Sequence, residues 1–452
     1  MKALYKFGNK LKSCWLKLCA THSSRPVHYF VHIPKTAGTS FIVLLDRYFP
    51  VNSIYPQQLW REAKHIDLVE NQQYDLFRGH FGGGGAEVLT NRSIEYLTIL
   101  RSPISLAVST YQFVLRETNT KVHQIVKDNE MSFQSFLTHP DTAPLVQNRM
   151  VRNISFDFKH DPAAQEVFLS ADTIDYLKSV VNTGAKELTD EQRLIRAKSF
   201  IKKSKWFALV ERFDESLQLL CFVMNWPPIG PTQKLNAHGN QLQLSDKEKA
   251  LLLQVNQQDE ALYAFASDVF EQRYNHMNTV LQQFRTSAEQ TTDDLLDLNY
   301  QEHRSKQNHE GNQFRYTFDQ ALFGTQWHRR ELMQPEKEYF RWTGPAAEAA
   351  IDFWLIQRDY EITIRIINAT SLELLDNVII TANGQKLQWH TQDEGHVRIL
   401  NMQCPAQLIA ANGLLRLSFK CNVMRSHQQV FGSDDERLVG LAMHWIQFDY
   451  AK

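Results

Sequence analysis

The stretch from His28 to Phe49, HYFVHIPKTAGTSFIVLLDRYF, narrows the choice of fold more than any other part of the chain. Tyr29, Val31 and Ile33 alternate with their neighbours in a short β-rich run, the pattern of a strand. Pro34 stops it, Lys35 to Ser40 turns the chain, and Phe41, Leu44, Leu45 and Tyr48 then recur at helical spacing. A strand, a small polar turn and a helix start bring free backbone N–H groups and the positive end of a helix dipole together, which makes an anion site. Lys35 adds a charge at its mouth, and the hydroxyls of Thr36, Thr39 and Ser40 add donors. A phosphate or sulfate group suits such a site, although an ordinary βα connection fits the same residues. A nucleotide triphosphatase loop fits less well. It carries its lysine directly before Ser or Thr, behind a longer glycine-bearing loop, whereas Lys35 precedes the only glycine of this turn.

At 452 residues the chain is long for one domain. A formal net charge of −1 gives no reason to expect nucleic acid as a partner. The five cysteines form no CxxC pair, so zinc has no support, and their odd number suits a reduced compartment. With no apolar run of transmembrane length and no signal-peptide core, the expectation is a cytoplasmic protein. Residues 1–25 form a basic amphipathic segment: Leu4, Phe7, Leu11, Trp15 and Leu18 share a helical face among Lys2, Lys6, Lys10, Lys12 and Lys17. Residues 1–20 could thus lie peripherally on an anionic membrane, and a docked helix or a frayed terminus fits as well.

Further along, Tyr74 to Phe81 reads as a short strand that delivers His80 beside Gly82–Gly85, four glycines that suit a flexible loop or a close backbone approach. Tyr96 to Leu100 is an apolar strand. Ser102 then fits an N-cap and Pro103 the first helical position, which leaves Arg101 at the strand end and Ser109 about two turns into the helix. Both can face the crevice that parallel α/β sheets keep for ligands, and an arginine there suits a second phosphate. Helices are expected over Val122–Leu137, over Asp172–Lys205 with a break near Gly184, over Phe213–Val223 and over Ser245–Arg273, with a polar patch at Gln147–Asn153 and a buried strand at Trp206–Glu211. Alternating strands and helices mean a parallel α/β domain over 26–285. Residues 286–312, rich in Gln, Asn, Asp, Glu and Ser, read as a linker. Residues 313–452 change texture to short alternating runs, with Asn383-Gly384 as a hairpin turn and Asn412-Gly413 resembling it. That pattern predicts a separate all-β domain, a jelly-roll type of β-sandwich. Trp327, Trp342, Trp354, Trp389 and Trp445 are candidates either for its core or for stacking on sugar rings.

Three pieces, HIPKTAGTS, RGHF and LRSPISLAVS, together resemble the sulfotransferases that use 3′-phosphoadenosine 5′-phosphosulfate (PAPS), nearest to the heparan sulfate and uronyl 2-O-sulfotransferase family of carbohydrate enzymes. The resemblance covers about residues 26–285. It implies a P-loop-like parallel sheet flanked by helices, with PAPS as co-substrate and no metal. The 5′-phosphosulfate would fall to Lys35, Thr36, Ala37, Gly38, Thr39 and Ser40, and the 3′-phosphate to Arg101 and Ser109. His80 would be the catalytic base, and Lys35 would stabilise the leaving phosphate. Where the heparan-type enzymes carry a further histidine, this chain has Arg78. The expected reaction is sulfonate transfer to a hydroxyl of a glycan or glycolipid. The rival expectations are a glycan-binding protein on a degenerate nucleotide-binding scaffold, and a nucleotide kinase. The 313–452 domain is similar, more loosely, to sandwich modules appended to bacterial glycan-modifying enzymes, which makes it a candidate carbohydrate-binding domain.

Overall fold

The computed structural model describes residues 25–63, 67–157, 188–230, 242–304, 313–394 and 397–451. The amphipathic N-terminal segment lies, apart from Arg25, outside them, as does the first part of the helix expected over 172–205, up to residue 187. In the first half, strands β1 (Val27–Val31), β2 (Leu76–Gly79), β3 (Ile94–Leu100) and β4 (Trp206–Leu209) form one parallel sheet in the order β2-β1-β3-β4. Register pairs Val31 with both Gly79 and Thr98, and Leu100 with Leu209. All four carboxyl ends therefore lie along one edge. Alternation along β1 sends Phe30 into the larger core and Val27, Tyr29 and Val31 into the smaller one on the opposite face.

Helices cover this sheet. They are α1 (Gly38–Leu45), α2 (Pro103–Arg116), α3 (Lys121–Asp128), α4 (Phe133–Thr138), α5 (Arg149–Ser155), α6 (Asp190–Lys203), α7 (Phe213–Met224), α8 (Asp246–Val255), α9 (Gln257–Leu281) and α10 (Thr292–Arg304). Two helices expected to be continuous are broken. Glu130, at φ 44°, separates α3 from α4, and Asn256 separates α8 from α9. Among the described residues no helix is long and apolar enough to cross a membrane.

The linker reading of 286–312 is corrected in its central part. Residues 292–304 are helix α10, and Leu295, Leu296 and Tyr300 on one of its faces are buried. Thr291 starts it: its hydroxyl accepts from the Asp294 N–H, while its own N–H donates to the Asp294 carboxylate. The polar composition belongs to the helix's outer face, and the three buried side chains suffice to dock it.

Residues 313–451 form a β domain of two antiparallel sheets sharing one apolar core. The seven-stranded sheet contains β5 (Gln313–Thr317), β7 (Trp327–Met333), β8 (Glu338–Thr343), β10 (Tyr360–Ala369), β13 (Trp389–Glu394), β14 (Val397–Cys404) and β18 (Leu441–Tyr450). The five-stranded sheet contains β6 (Gly324–Thr325), β9 (Glu348–Trp354), β11 (Ile379–Ala382), β12 (Gln385–Lys386) and β15 (Leu414–Lys420). A separate two-stranded pair joins β16 (Arg425–Ser426) to β17 (Leu438–Val439). Asn383 and Gly384, both at positive φ, close the β11–β12 hairpin as expected. Asn412-Gly413 instead leads a one-turn helix, Ala406–Leu408, into β15. Trp327, Trp342 and Trp354 are buried, whereas Trp389 and Trp445 are half-exposed.

Charge joins the halves. Arg416 on β15 grips Asp352 on β9 and Asp297 on α10 at 2.7–2.9 Å, and the Asp352 side chain is fully buried. Arg330 donates to the carbonyls of Asp46 and Phe49, and Arg47 to those of Gly324 and Trp327. Removing the arginine of a buried pair leaves an uncompensated carboxylate. Arg416→Ala is therefore expected to lower the unfolding free energy by about 3–5 kcal/mol in urea titrations. Asp297→Asn, which leaves Asp352 paired, is expected to cost much less.

Candidate functional site

The carboxyl edge of the parallel sheet gathers the residues singled out by the sequence. After Val31 the chain runs through His32 and Ile33 into the Lys35–Ser40 loop, where Lys35 and Ala37 adopt left-handed backbone at φ 71° and 62°. The first helical hydrogen bond runs from Phe41 N–H to the Ala37 carbonyl, so the N–H groups of Gly38, Thr39 and Ser40 have no partner within α1. The Thr39 side chain is exposed and Ser40 half-buried. Thr36 is fully buried and its hydroxyl donates to the Ile33 carbonyl at 2.8 Å, so that hydroxyl does not face the site as a donor.

Gly38 has a steric reason to be glycine. A Cβ there would stand 2.1 Å from the His32 ring. His32, 7% exposed, lies over that gap and stacks on His80 at 4.2 Å between ring centroids. Its Nδ1 is buried with no hydrogen-bond partner. His80 follows β2, its N–H bonded to the Gln58 carbonyl and its Nδ1 2.8 Å from the His32 carbonyl. A carbonyl only accepts, so Nδ1 carries the proton and Nε2 keeps its lone pair. Burial lowers His80 to about 4, partly offset by that hydrogen bond, with the Arg149 charge pushing the same way as burial. Burial also lowers His32 well below its ordinary 6.5, helped by His80, Arg149 and Lys35.

Arg101, at the end of β3, donates through Nη1 to the Lys35 carbonyl at 3.0 Å, while its Nε is buried and unpartnered. The two anion pockets inferred from sequence are thus neighbours. Ser109 lies half-buried on α2, and its hydroxyl makes no hydrogen bond among the described residues. Ser102 does not cap α2 with its side chain. Glu211, just past β4, accepts from the Ser102 N–H at 2.9 Å instead.

Arg149 is the residue that sequence reasoning missed. It opens α5, is 5% exposed, donates to the Thr110 hydroxyl at 3.2 Å and leaves Nε buried and unpartnered. Asp259 on α9 fixes that helix start by accepting from the Met150 and Val151 N–H groups at 3.0 and 2.8 Å. Burial brings Arg149 down to about 10. Lys35 rests with Nζ 4.1 Å from the centre of the Phe113 ring and falls to about 8, through burial and then the charges of Arg116, Arg101 and Arg149. Among the described residues Lys35, Arg101 and Arg149 make no ion pair with a carboxylate. The polar patch at Gln147–Asn153 carried the only sequence signal for Arg149, and nothing there pointed to the sheet edge.

Of the two readings of Gly82–Gly85, close backbone approach holds and flexibility does not: Gly82, Gly83 and Gly85 are buried, and a Cβ on Gly83 would meet the Ile154 carbonyl at 1.9 Å. Gly83 and Gly84 donate to the carbonyls of Asn153 and Phe156, so close approach to the end of α5 is what the glycines permit. Arg78, at the position of the second histidine in the resembling family, grips Asp46 through Nε and Nη2 and the Tyr55 carbonyl through Nη1. It is occupied as a brace. No protein-family model matches the chain, and no curated protein matches it.

The paired imidazoles set a pH dependence. Both are neutral in the fold, with values below 6.5, whereas the unfolded chain takes up protons as pH falls through 6.5. Stability is expected to be unaffected by these groups above about pH 6.5 and to decline from there toward about pH 4. Thermal unfolding midpoints across that window test this, and His80→Gln should give a shallower decline.

Proposed function

We propose that the protein is a PAPS-dependent sulfotransferase acting on a hydroxyl of a glycan or glycolipid. The observation that carries this reading is the convergence of Lys35, Arg101 and Arg149, without carboxylate partners among the described residues, on the sheet edge where His80 stands. Burying cations without counter-charge is costly, and an anionic ligand offsets that cost. The unpartnered Nε atoms of Arg101 and Arg149 and the first-turn N–H groups of α1 fit a ligand with several anionic groups. In this reading the sheet and its loop are P-loop-like, and the β domain is a jelly-roll sandwich.

The residues divide the work. Lys35 and the backbone of Thr36–Ser40 hold the 5′-phosphosulfate, and Arg101 with Ser109 holds the 3′-phosphate. Bound PAPS supplies a sulfonate already attached to a phosphate leaving group. His80 takes the acceptor's hydroxyl proton on Nε2, its tautomer set by the His32 carbonyl. Lys35 neutralises charge growing on the departing phosphate oxygen. Arg149 adds a fixed cation at the same edge. The acceptor oxygen–sulfur bond forms as the sulfur–phosphate oxygen bond breaks, and the proton ends on His80.

Three outcomes follow from these roles. Labelled sulfonate should pass from PAPS to a glycan acceptor, and adenosine 3′,5′-bisphosphate should raise the melting temperature more than ATP with magnesium; the reverse order supports the kinase reading. His80→Ala should lose about 10²-fold or more in turnover while keeping bisphosphate affinity; normal turnover overturns its role. The pH profile of kcat/KM should rise through about 4 as His80 loses its proton and fall above about 8 as Lys35 does. Lys35→Arg should remove the alkaline limb.

A further inference from the structure

The outer face of the seven-stranded sheet carries a row of polar side chains that the core does not need. Strand register places Arg315 on β5 opposite Gln447 on β18, Gln447 opposite Thr363 on β10, Thr363 opposite Asn401 on β14, and Asn401 opposite His390 on β13. At about 4.8 Å between strands this row spans about 19 Å. Its members are already oriented. Arg315 Nε donates to Gln447 Oε1 at 2.7 Å, and the Thr363 hydroxyl donates to Asn401 Oδ1 at 3.0 Å, which leaves the Asn401 amide N–H groups to face outward.

A β-bulge reshapes the adjoining row. Trp445 pairs with Arg365 and Met443 with Ile366, so His444 is the extra residue. Met443, Ile446 and Phe448 point into the core, while His444 bonds Arg365 on the outer face beside Trp445. Bulges commonly re-aim side chains at functional positions. Arg365 Nη1 donates to His444 Nδ1 at 2.6 Å, and His444 Nε2 donates to Glu338 at 2.9 Å. The histidine on Arg365 is neutral, so it positions the guanidinium without cancelling its charge. Arg315 lies 4.4 Å over the half-exposed Trp445 ring. Neither arginine has an ion-pair partner among the described residues. Of the acids on this face, Glu361 and Asp449 lie one row beyond Thr363 and Gln447, Asp449 accepting from Gln447 Nε2 at 3.1 Å, and Glu338 is held by His444.

We propose that this face, centred on Trp445, Arg315 and Arg365 and continued by Gln447, Thr363 and Asn401, is a binding site for an acidic saccharide chain. An indole offers a sugar ring an apolar platform. Two forked cations placed by their neighbours match carboxylate or sulfate oxygens bidentately, and the amide and hydroxyl row matches sugar hydroxyls. The opposite sheet turns Arg416 and Asp352 toward α10, so the saccharide face lies on the side of the β domain away from that contact. This site does not depend on the sulfotransferase reading.

The test is calorimetric titration of the full chain with an oligo-uronate, with its sulfated counterpart and with the uncharged oligosaccharide of the same length. Binding of one or both acidic chains, at least tenfold tighter than the neutral one and weakened tenfold or more by Arg315→Ala and by Trp445→Ala, supports the site; which acidic chain binds tighter identifies the anionic group. Arg315 is exposed, so its variant tests the face even where the tryptophan variant is destabilised. Equal binding of the neutral chain, unchanged affinity in Arg315→Ala, or equal binding of a single-stranded oligonucleotide overturns the proposal. Adenosine 3′,5′-bisphosphate affinity, read in parallel, should not move in either variant, which separates this face from the sheet-edge site.

Discussion

Positive charge held without its counter-charge is the constraint on which the first domain is built. Arg149 could be placed at the sheet edge only because Asp259 and Asn148 pin the start of α5: the carboxylate takes two helix N–H groups, and the Asn148 side chain accepts from Gln258 and Asp259. Arg101 is anchored by the Lys35 carbonyl, and Lys35 by the face of Phe113. Each cation is thus steadied by a neutral group, and its charge remains available to an anion. The cost appears in the depressed values of Lys35, His32 and His80, which come first from burial, with the Arg149 charge pushing each the same way. Sites that perturb several titratable groups in one direction are candidates for chemistry.

Much of this was legible because it is local. The strand–turn–helix at His28–Phe49, the strand ends carrying His80 and Arg101, and the Asn383-Gly384 hairpin each announce themselves within a short window. The misreadings share one cause: their meaning lies in contacts far along the chain. Arg149 reaches Thr110, and Gly83 meets the backbone of Ile154, neither of which a local window can show. Residues 292–304 read as linker because their polar side chains outnumber Leu295, Leu296 and Tyr300, yet a helix needs only one apolar stripe to dock. The tryptophans were separable only by burial, and the same side-chain chemistry serves core at Trp354 and surface at Trp445.

The two halves are joined through positions that also support the site. Arg78 lies two residues before His80 and holds Asp46, whose carbonyl accepts from Arg330 of the β domain. Val51 N–H donates to the Asp319 carbonyl and Leu322 N–H to that of Arg47, so the segment after α1 is stitched to the β domain by backbone as well as side chains. The strand that leads to His80 is therefore braced from outside its own sheet. Among the described residues nothing comparable links the far face of the seven-stranded sheet to the parallel sheet; there Arg315 and Arg365 are placed by Gln447 and His444 of the neighbouring strand.

The missing side chain at position 38 has a consequence for how such a loop tolerates change. Even a methyl group there would collide with the His32 imidazole. The displaced ring would carry with it the stacked His80, whose tautomer is held by the carbonyl of the same residue. In the proposed mechanism, phosphate recognition by the loop and proton abstraction by His80 are in this way geared to a single void. On that proposal, a side chain at position 38 that spared every ligand-facing atom would still disturb His80 by evicting the ring stacked on it.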